Sequence, residues 1–121
     1  MTEPRKALVV DDHPTNRLLA EALLRKCGWT VFQADCGQTA LTLATQHPFR
    51  LVLLDISMPG LSGEETCARL RAAEAAEPLH IVAYTAHAFP EDEARLLACG
   101  FDEVLVKPIS RQRIEDLVAK L

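Results

Sequence analysis

"RLVLLDISMPG", residues 50–60, carries an unbroken apolar run, Leu51 to Leu54, that ends in a carboxylate at Asp55 and then turns at once through Ser57, Met58, Pro59 and Gly60. A strand with one wet face would alternate polar and apolar residues. A continuous Leu/Val run instead reads as a strand covered on both faces, which requires a parallel sheet between helix layers. The same grammar recurs along the chain. "KALVV" (6–10) ends at Asp11, "HIVAYT" (80–85) ends at Thr85, and "EVLV" (103–106) is followed by Lys107. "TVFQA" (30–34) is less apolar and reads as an edge strand.

Helical periodicity fills the gaps. "PTNRLLAEALLRKCG" (14–28) places Leu18, Leu19, Ala22, Leu23 and Cys27 on one expected apolar face, with Pro14 in the first turn and Gly28 as the stop. "QTALTLATQH" (38–47) is a second helix. Ser62 and Glu65 form a capping box that opens a third, expected to run to about Ala75. "PEDEARLLACG" (90–100) is a fourth, and Ser110 caps a fifth with Ile114, Leu117, Val118 and Leu121 on its inner face. Five strand–helix repeats predict a doubly wound α/β fold with helices on both faces of a five-stranded parallel sheet.

Composition narrows the function. With 121 residues, 49% of them hydrophobic, the chain suits one globular domain, residues 1–121, with its own core. A net charge of −4 and a pI near 5.5 disfavour direct nucleic-acid binding. No apolar run approaches the ~20 residues of a membrane span, and "MTEPRKALVV" lacks the pattern of a signal peptide. A cytoplasmic protein, or a cytoplasmic module of something larger, without membrane contact of its own, is the expectation. Cys27, Cys36, Cys67 and Cys99 are widely spaced and read as reduced, packed thiols.

Ligands of open α/β sheets bind beyond the carboxyl ends of the strands. Asp11 and Asp12, Asp55, Thr85 and Lys107 all fall there, contributed by four separate strands. Each alone has an ordinary explanation: an Asp pair as loop chemistry, a Lys-Pro as a turn. Their shared edge is the signal. Three carboxylates in one pocket repel unless a cation intervenes. Mg²⁺, which takes oxygen ligands and keeps company with phosphoryl groups, fits that need. Lys107 supplies a positive charge and Thr85 a hydroxyl donor to an anionic group transferred onto a carboxylate. The lysine's ammonium is accordingly expected to matter more for that chemistry than for folding.

"LVVDDHPTNR", "LVLLDISMPGLSGEE", "IVAYTAHA" and "GFDEVLVKPI" resemble the receiver domains of two-component response regulators, over about residues 5 to 121. The resemblance implies a flavodoxin-like fold with strand order 2-1-3-4-5 in three α/β/α layers. It implies that Asp11 and Asp12 organise Mg²⁺, that Asp55 is both a metal ligand and the acceptor of phosphate from a histidine, and that Ser57 lends a backbone carbonyl to the metal. Thr85 and Lys107 would hold the phosphoryl group, and His87 would lie on the pocket rim. The implied partners are a histidine kinase, a histidine phosphotransfer domain, or both, with the domain a monomer or weak dimer and not an enzyme by itself. "VDDHPTNR" and "TAHA" look most like receivers of hybrid sensor kinases and phosphorelays, so the chain is expected to be a stand-alone relay protein or one module of such a kinase. One departure stands out: three residues before the lysine, where relatives often carry Tyr or Phe as a conformational switch, this chain has Val104.

Rival readings are weaker. An Asp-nucleophile phosphatase of the haloacid dehalogenase type needs a second acid two residues after the nucleophile, and Ser57 stands there. A flavodoxin-like FMN binder needs a Ser/Thr/Gly-rich phosphate loop, and "DDHPTN" is acidic. A degenerate scaffold would have lost pocket residues, and all five are present. His13 reads as the start of a helix rather than as a metal ligand, His47 and His80 as solvated flanking residues, and Trp29 and Phe32 as packing.

Overall fold

The computed structural model describes residues 5–56, 60, 62–73, 79–86, 89–107 and 109–121. Strands and helices alternate along the chain: β1 (Lys6–Val10), α1 (Pro14–Lys26), β2 (Thr30–Ala34), α2 (Gly37–Gln46), β3 (Leu51–Asp55), α3 (Gly63–Ala72), β4 (His80–Thr85), α4 (Pro90–Ala98), β5 (Glu103–Val106) and α5 (Arg111–Val118). All pairings are parallel, in the order β2-β1-β3-β4-β5. The weakly apolar β2 is an edge, as its composition predicts.

Strand pleating sorts the core into two layers. From β1, Ala7 and Val9 point to one face, where Ala20 and Leu24 of α1 and Ile114 and Leu117 of α5 cover them together with Trp29 and Tyr84. Leu8 and Val10 point to the other, against Ala40 of α2, Cys67 and Leu70 of α3, and Leu96 of α4. The middle strands therefore have no polar alternation: β3 is buried from Leu51 to Asp55.

The caps form where the sequence places them. Ser62 Oγ accepts from the Glu65 N–H at 3.1 Å, and Ser110 Oγ accepts from the Arg113 N–H at 3.2 Å. Helix α3 gives way to its cap at Ala73, and the stretch expected to extend it to Ala75 lies beyond the described residues. All four cysteines are free thiols, Cys67 fully buried. Burial pushes the Cys67 thiol up to about 11, so it stays protonated.

Helix α1 turns a different face inward from the one its spacing suggested. Leu18 and Leu19 are 59% and 41% exposed, and Ala22 is exposed as well. The inward stripe is Ala20, Leu23, Leu24 and Cys27. Apolar residues occupy more than half the circumference of this helix, so periodicity alone cannot choose the stripe. The chain reversal does: Cys27 and Trp29 donate backbone hydrogen bonds to the Leu24 carbonyl at 3.0 and 3.2 Å, and Gly28, at φ +90°, turns the chain directly into β2. This pins residue 24 and its i−4 partner, Ala20, against the sheet.

His47 and His80 also depart from expectation. His47 is half-buried, 4.3 Å from the Phe32 ring centroid and 5.8 Å from that of Phe49, with Lys6 Nζ at 3.4 Å. His80 lies 3.3 Å from Glu103 and 3.9 Å from Asp102. Neither is simply solvated, because strand pairing brings distant residues beside them. Phe32 and Trp29 pack as expected, Trp29 in the core with Arg5 5.8 Å over its ring.

Candidate functional site

The carboxyl edge of the sheet gathers most of the residues singled out by the sequence. Asp11 immediately follows β1, and its N–H bonds the Ala34 carbonyl of β2 at 3.1 Å, which fixes its backbone. Its carboxylate is fully buried. Oδ1 accepts from the His13 N–H at 2.9 Å and lies 3.3 Å from the His13 ring, while Oδ2 lies 3.2 Å from Lys107 Nζ. Burial works to raise the Asp11 pKa. The His13 backbone bond and the Lys107 charge outweigh it, and the net shift is downward. Asp55, at the last position of β3, is 1% exposed and has Oδ2 3.4 Å from the same ammonium. Lys107 therefore bridges the two buried acids, which gives it a share in stability, more than the sequence suggests.

The β4–β5 ladder places the lysine. Tyr84 is level with Asp55 and with Leu105, and Thr85 with Val106. The Lys107 N–H extends the ladder by donating to the Thr85 carbonyl at 2.7 Å. Thr85 is buried at the end of β4, on the same edge. Ser57 and His87 lie outside the described residues, as do Met58 and Pro59; Gly60, the end of that exit turn, adopts φ +77°.

Asp11, Asp12, His13 and Asp55 present ligand atoms that all fall within 4.8 Å of one another. Asp11 Oδ2 and Asp12 Oδ1 are buried atoms that accept no hydrogen bond. Among the described residues their charge is met by Lys107 and by the His13 ring, 3.0 Å from Asp12. Hard carboxylate oxygens with free lone pairs suit a small divalent cation such as Mg²⁺, so the residues present fit the metal.

Sequence reading missed three contributors. His13 is the N-cap residue of α1, as expected, yet its ring leans back over both acids of the pair. Arg17, one turn into α1, donates to the Asp11 carbonyl at 2.7 Å and to Gln33 of β2 at 3.1 Å, tying the acidic loop to helix and edge strand. Its place on the first turns of a helix that follows the acids was the available signal. Tyr84 lies beneath Lys107, with the ammonium 4.6 Å from its ring centroid. Burial, with the charges of Asp11 and Asp55 adding to it, pushes the phenol up to about 12, so the ring is neutral near pH 7.

Together the fold and site define a class: a parallel α/β sheet that presents buried carboxylates and a lysine at one edge. The chain belongs to the response regulator receiver domain family, which it matches over residues 7–119, and is thus a two-component signalling module. It is 40% identical over 118 residues to the sensor histidine kinase GacS of Pseudomonas protegens, covering 95% of this chain but only 13% of that protein's length. Among solved structures it resembles the chemotaxis protein CheY4 of Vibrio cholerae, with a TM-score of 0.90, 26% identity and 98% of both chains covered. It also resembles the receiver domain of the sensor histidine kinase PA1611 of Pseudomonas aeruginosa, with a TM-score of 0.87 and 29% identity over 98% of this chain and 97% of that one. That structure holds a magnesium ion coordinated in its active-site cleft. No helix among the described residues is long and apolar enough to cross a membrane.

Proposed function

We propose that Asp55 accepts a phosphoryl group from a phosphorylated histidine of a sensor kinase or a histidine phosphotransfer domain. A carboxylate oxygen of Asp55 attacks phosphorus, the P–N bond breaks as the P–O bond forms, and the departing imidazole takes up a proton. Asp11, Asp12, Asp55 and the Ser57 carbonyl would hold Mg²⁺, which when bound neutralises charge on the phosphoryl oxygens. Lys107 and Thr85 receive the new oxygens, the first as a cation and the second as a hydroxyl donor. The observation that carries this reading is the buried Asp55 carboxylate at a strand end, with Lys107 Nζ 3.4 Å away and the acid pair beside it.

The phosphatase alternative remains disfavoured by Ser57, which offers no acid to activate water. Residues 1–121 act as a single receiver domain in the cytoplasm, monomeric or weakly dimeric, without direct contact to nucleic acid or membrane. Similarity to a segment of GacS supports a place within a larger hybrid kinase or a phosphorelay. The test is intact mass after incubation with acetyl phosphate and Mg²⁺: one phosphate adduct is expected in the native chain and none in Asp55→Asn or after chelation of the metal. An adduct that persists in Asp55→Asn overturns the assignment.

A further inference from the structure

Lys107 lies 3.2 and 3.4 Å from the two buried carboxylates, and its ammonium must sit correctly for any anion that forms on Asp55. A lysine has four torsions in its side chain and no rigid geometry of its own. Something must hold it. Its backbone is fixed by the bond to the Thr85 carbonyl, but that bond sets only where the stem begins.

Below the ammonium lies the face of Tyr84, 4.6 Å from Nζ to ring centroid, inside the range of a cation–π contact. The tyrosine is 1% exposed and the lysine side chain 17%, so the contact is largely out of water, where such contacts are strongest. Strand alternation explains the geometry. Thr85 and Ala83 face the α2–α3–α4 layer, while Tyr84 faces the α1–α5 layer at the last turn of the pleat, directly under the residue that follows β5. The two ionic anchors differ from the aromatic one in kind. Attraction to Asp11 weakens whenever that carboxylate is engaged by another cation, whereas the contact with the Tyr84 ring does not depend on the state of either carboxylate.

We infer that Tyr84 is a positioning residue whose buried ring forms the floor on which the Lys107 ammonium rests, keeping it beside Asp55 when its other ionic partners are engaged. The inference rests on the reading of Asp55 as phosphoacceptor, and the experiment separates the two.

The first measurement needs no phosphate. Protons held over an aromatic face resonate upfield, so the ε-methylene protons of Lys107, assigned by their loss in Lys107→Ala, should lie upfield of those of Lys26 and Lys120. The displacement should persist in Tyr84→Phe and vanish in Tyr84→Leu. The second is the rate of phosphorylation by acetyl phosphate with Mg²⁺. Tyr84→Phe should stay within about twofold of the native rate and Tyr84→Leu should fall roughly five- to tenfold, the effect expected of a cation–π contact between the exposed and the fully desolvated limits. Lys107 ε-protons that resonate with those of Lys26 and Lys120 in the native protein overturn the inference even if Tyr84→Leu fails to fold, as does a Tyr84→Leu variant that folds and phosphorylates at the native rate. A native rate in Lys107→Ala overturns it too, whereas an adduct in Asp55→Asn sinks the phosphoacceptor reading instead.

Discussion

Gly63 opens α3 on the main chain of Asp55, and replacing it with alanine sets two effects against each other. Helix propensity favours the change, since alanine is better than glycine in a helix by at most about 1 kcal/mol, and by less in the first turn. Packing opposes it. A methyl at position 63 would lie 2.5 Å from Ile56 Cα and 2.7 Å from the Asp55 carbonyl oxygen. Both neighbours are backbone, so neither can swing aside as a side chain would. Restoring ordinary contact, at about 3.5 Å or more between carbon atoms, requires the start of α3 and the end of β3 to part by roughly 1 Å. Overpacking of this kind costs about 1–3 kcal/mol, so packing wins and a net loss of about 1–2 kcal/mol remains.

For 121 residues the unfolding entropy is about 0.25 kcal/mol per kelvin. Gly63→Ala should therefore lower Tm by about 4–8 °C in thermal denaturation followed by circular dichroism. Because the displaced atoms belong to Asp55 itself, phosphorylation by acetyl phosphate should slow at temperatures where the variant remains fully folded. Gly28→Ala is the control. It strains a backbone at φ +90° but meets nothing within 4 Å, and it lies at the far end of α1, so it should cost stability and leave phosphorylation unchanged. A Gly63→Ala protein with the native Tm or a higher one would refute the close approach of α3 to Asp55.

Three further outcomes follow from the site. Lys107→Ala leaves Asp11 and Asp55 without the cation that bridges them; the metal-free protein should lose about 2–4 kcal/mol by urea denaturation, somewhat less than for a fully buried pair, and Mg²⁺ should restore part of it, whereas unchanged metal-free stability would contradict the bridge. The folded-state pKa of Asp11 lies below its ordinary 3.8, so its contribution to stability is complete above that value and is lost as pH falls through the lower folded one; the acid limb of a Tm-against-pH curve should flatten in Asp11→Asn, and an unaltered limb would count against the lowered pKa. Val104 has one stiff torsion and no ring to turn, so beryllofluoride, a phosphoryl mimic, should shift amide resonances more in residues 56–62 and 85–89 than in residues 90–106, and equal shifts on both sets would show that this receiver switches the α4–β5 face without an aromatic.

The sheet was readable because its middle strands are covered on both faces, which forces their residues to be apolar and makes the first polar residue after each run conspicuous. Asp11, Asp55, Thr85 and Lys107 each mark such an end, and strand adjacency brings the two acids and the lysine within bonding reach. The inward face of α1 was not readable. Residues 18–20 and 22–24 are all apolar, and only the reversal at Gly28 selects Ala20 and Leu24 over Leu18 and Leu19. Nor were the settings of His47 and His80, whose partners lie as far off as Lys6, 41 residues away, and Glu103, 23 residues away.

The site divides along the same line. Its charges are legible because carboxylates and an ammonium are costly to bury, so their appearance at the end of a buried strand asks for an explanation. What positions those charges is not, because the groups responsible satisfy ordinary local rules. Arg17 reads as a polar residue on a helix and Tyr84 as one more apolar residue in β4. Only the register of β4 against β5 sets Tyr84 under Lys107, and only the packing of α1 over β1 sets Arg17 against the Asp11 carbonyl. A substitution at either position would be scored from sequence as a change of surface or core. The structure makes each a change in where a charge of the pocket is held.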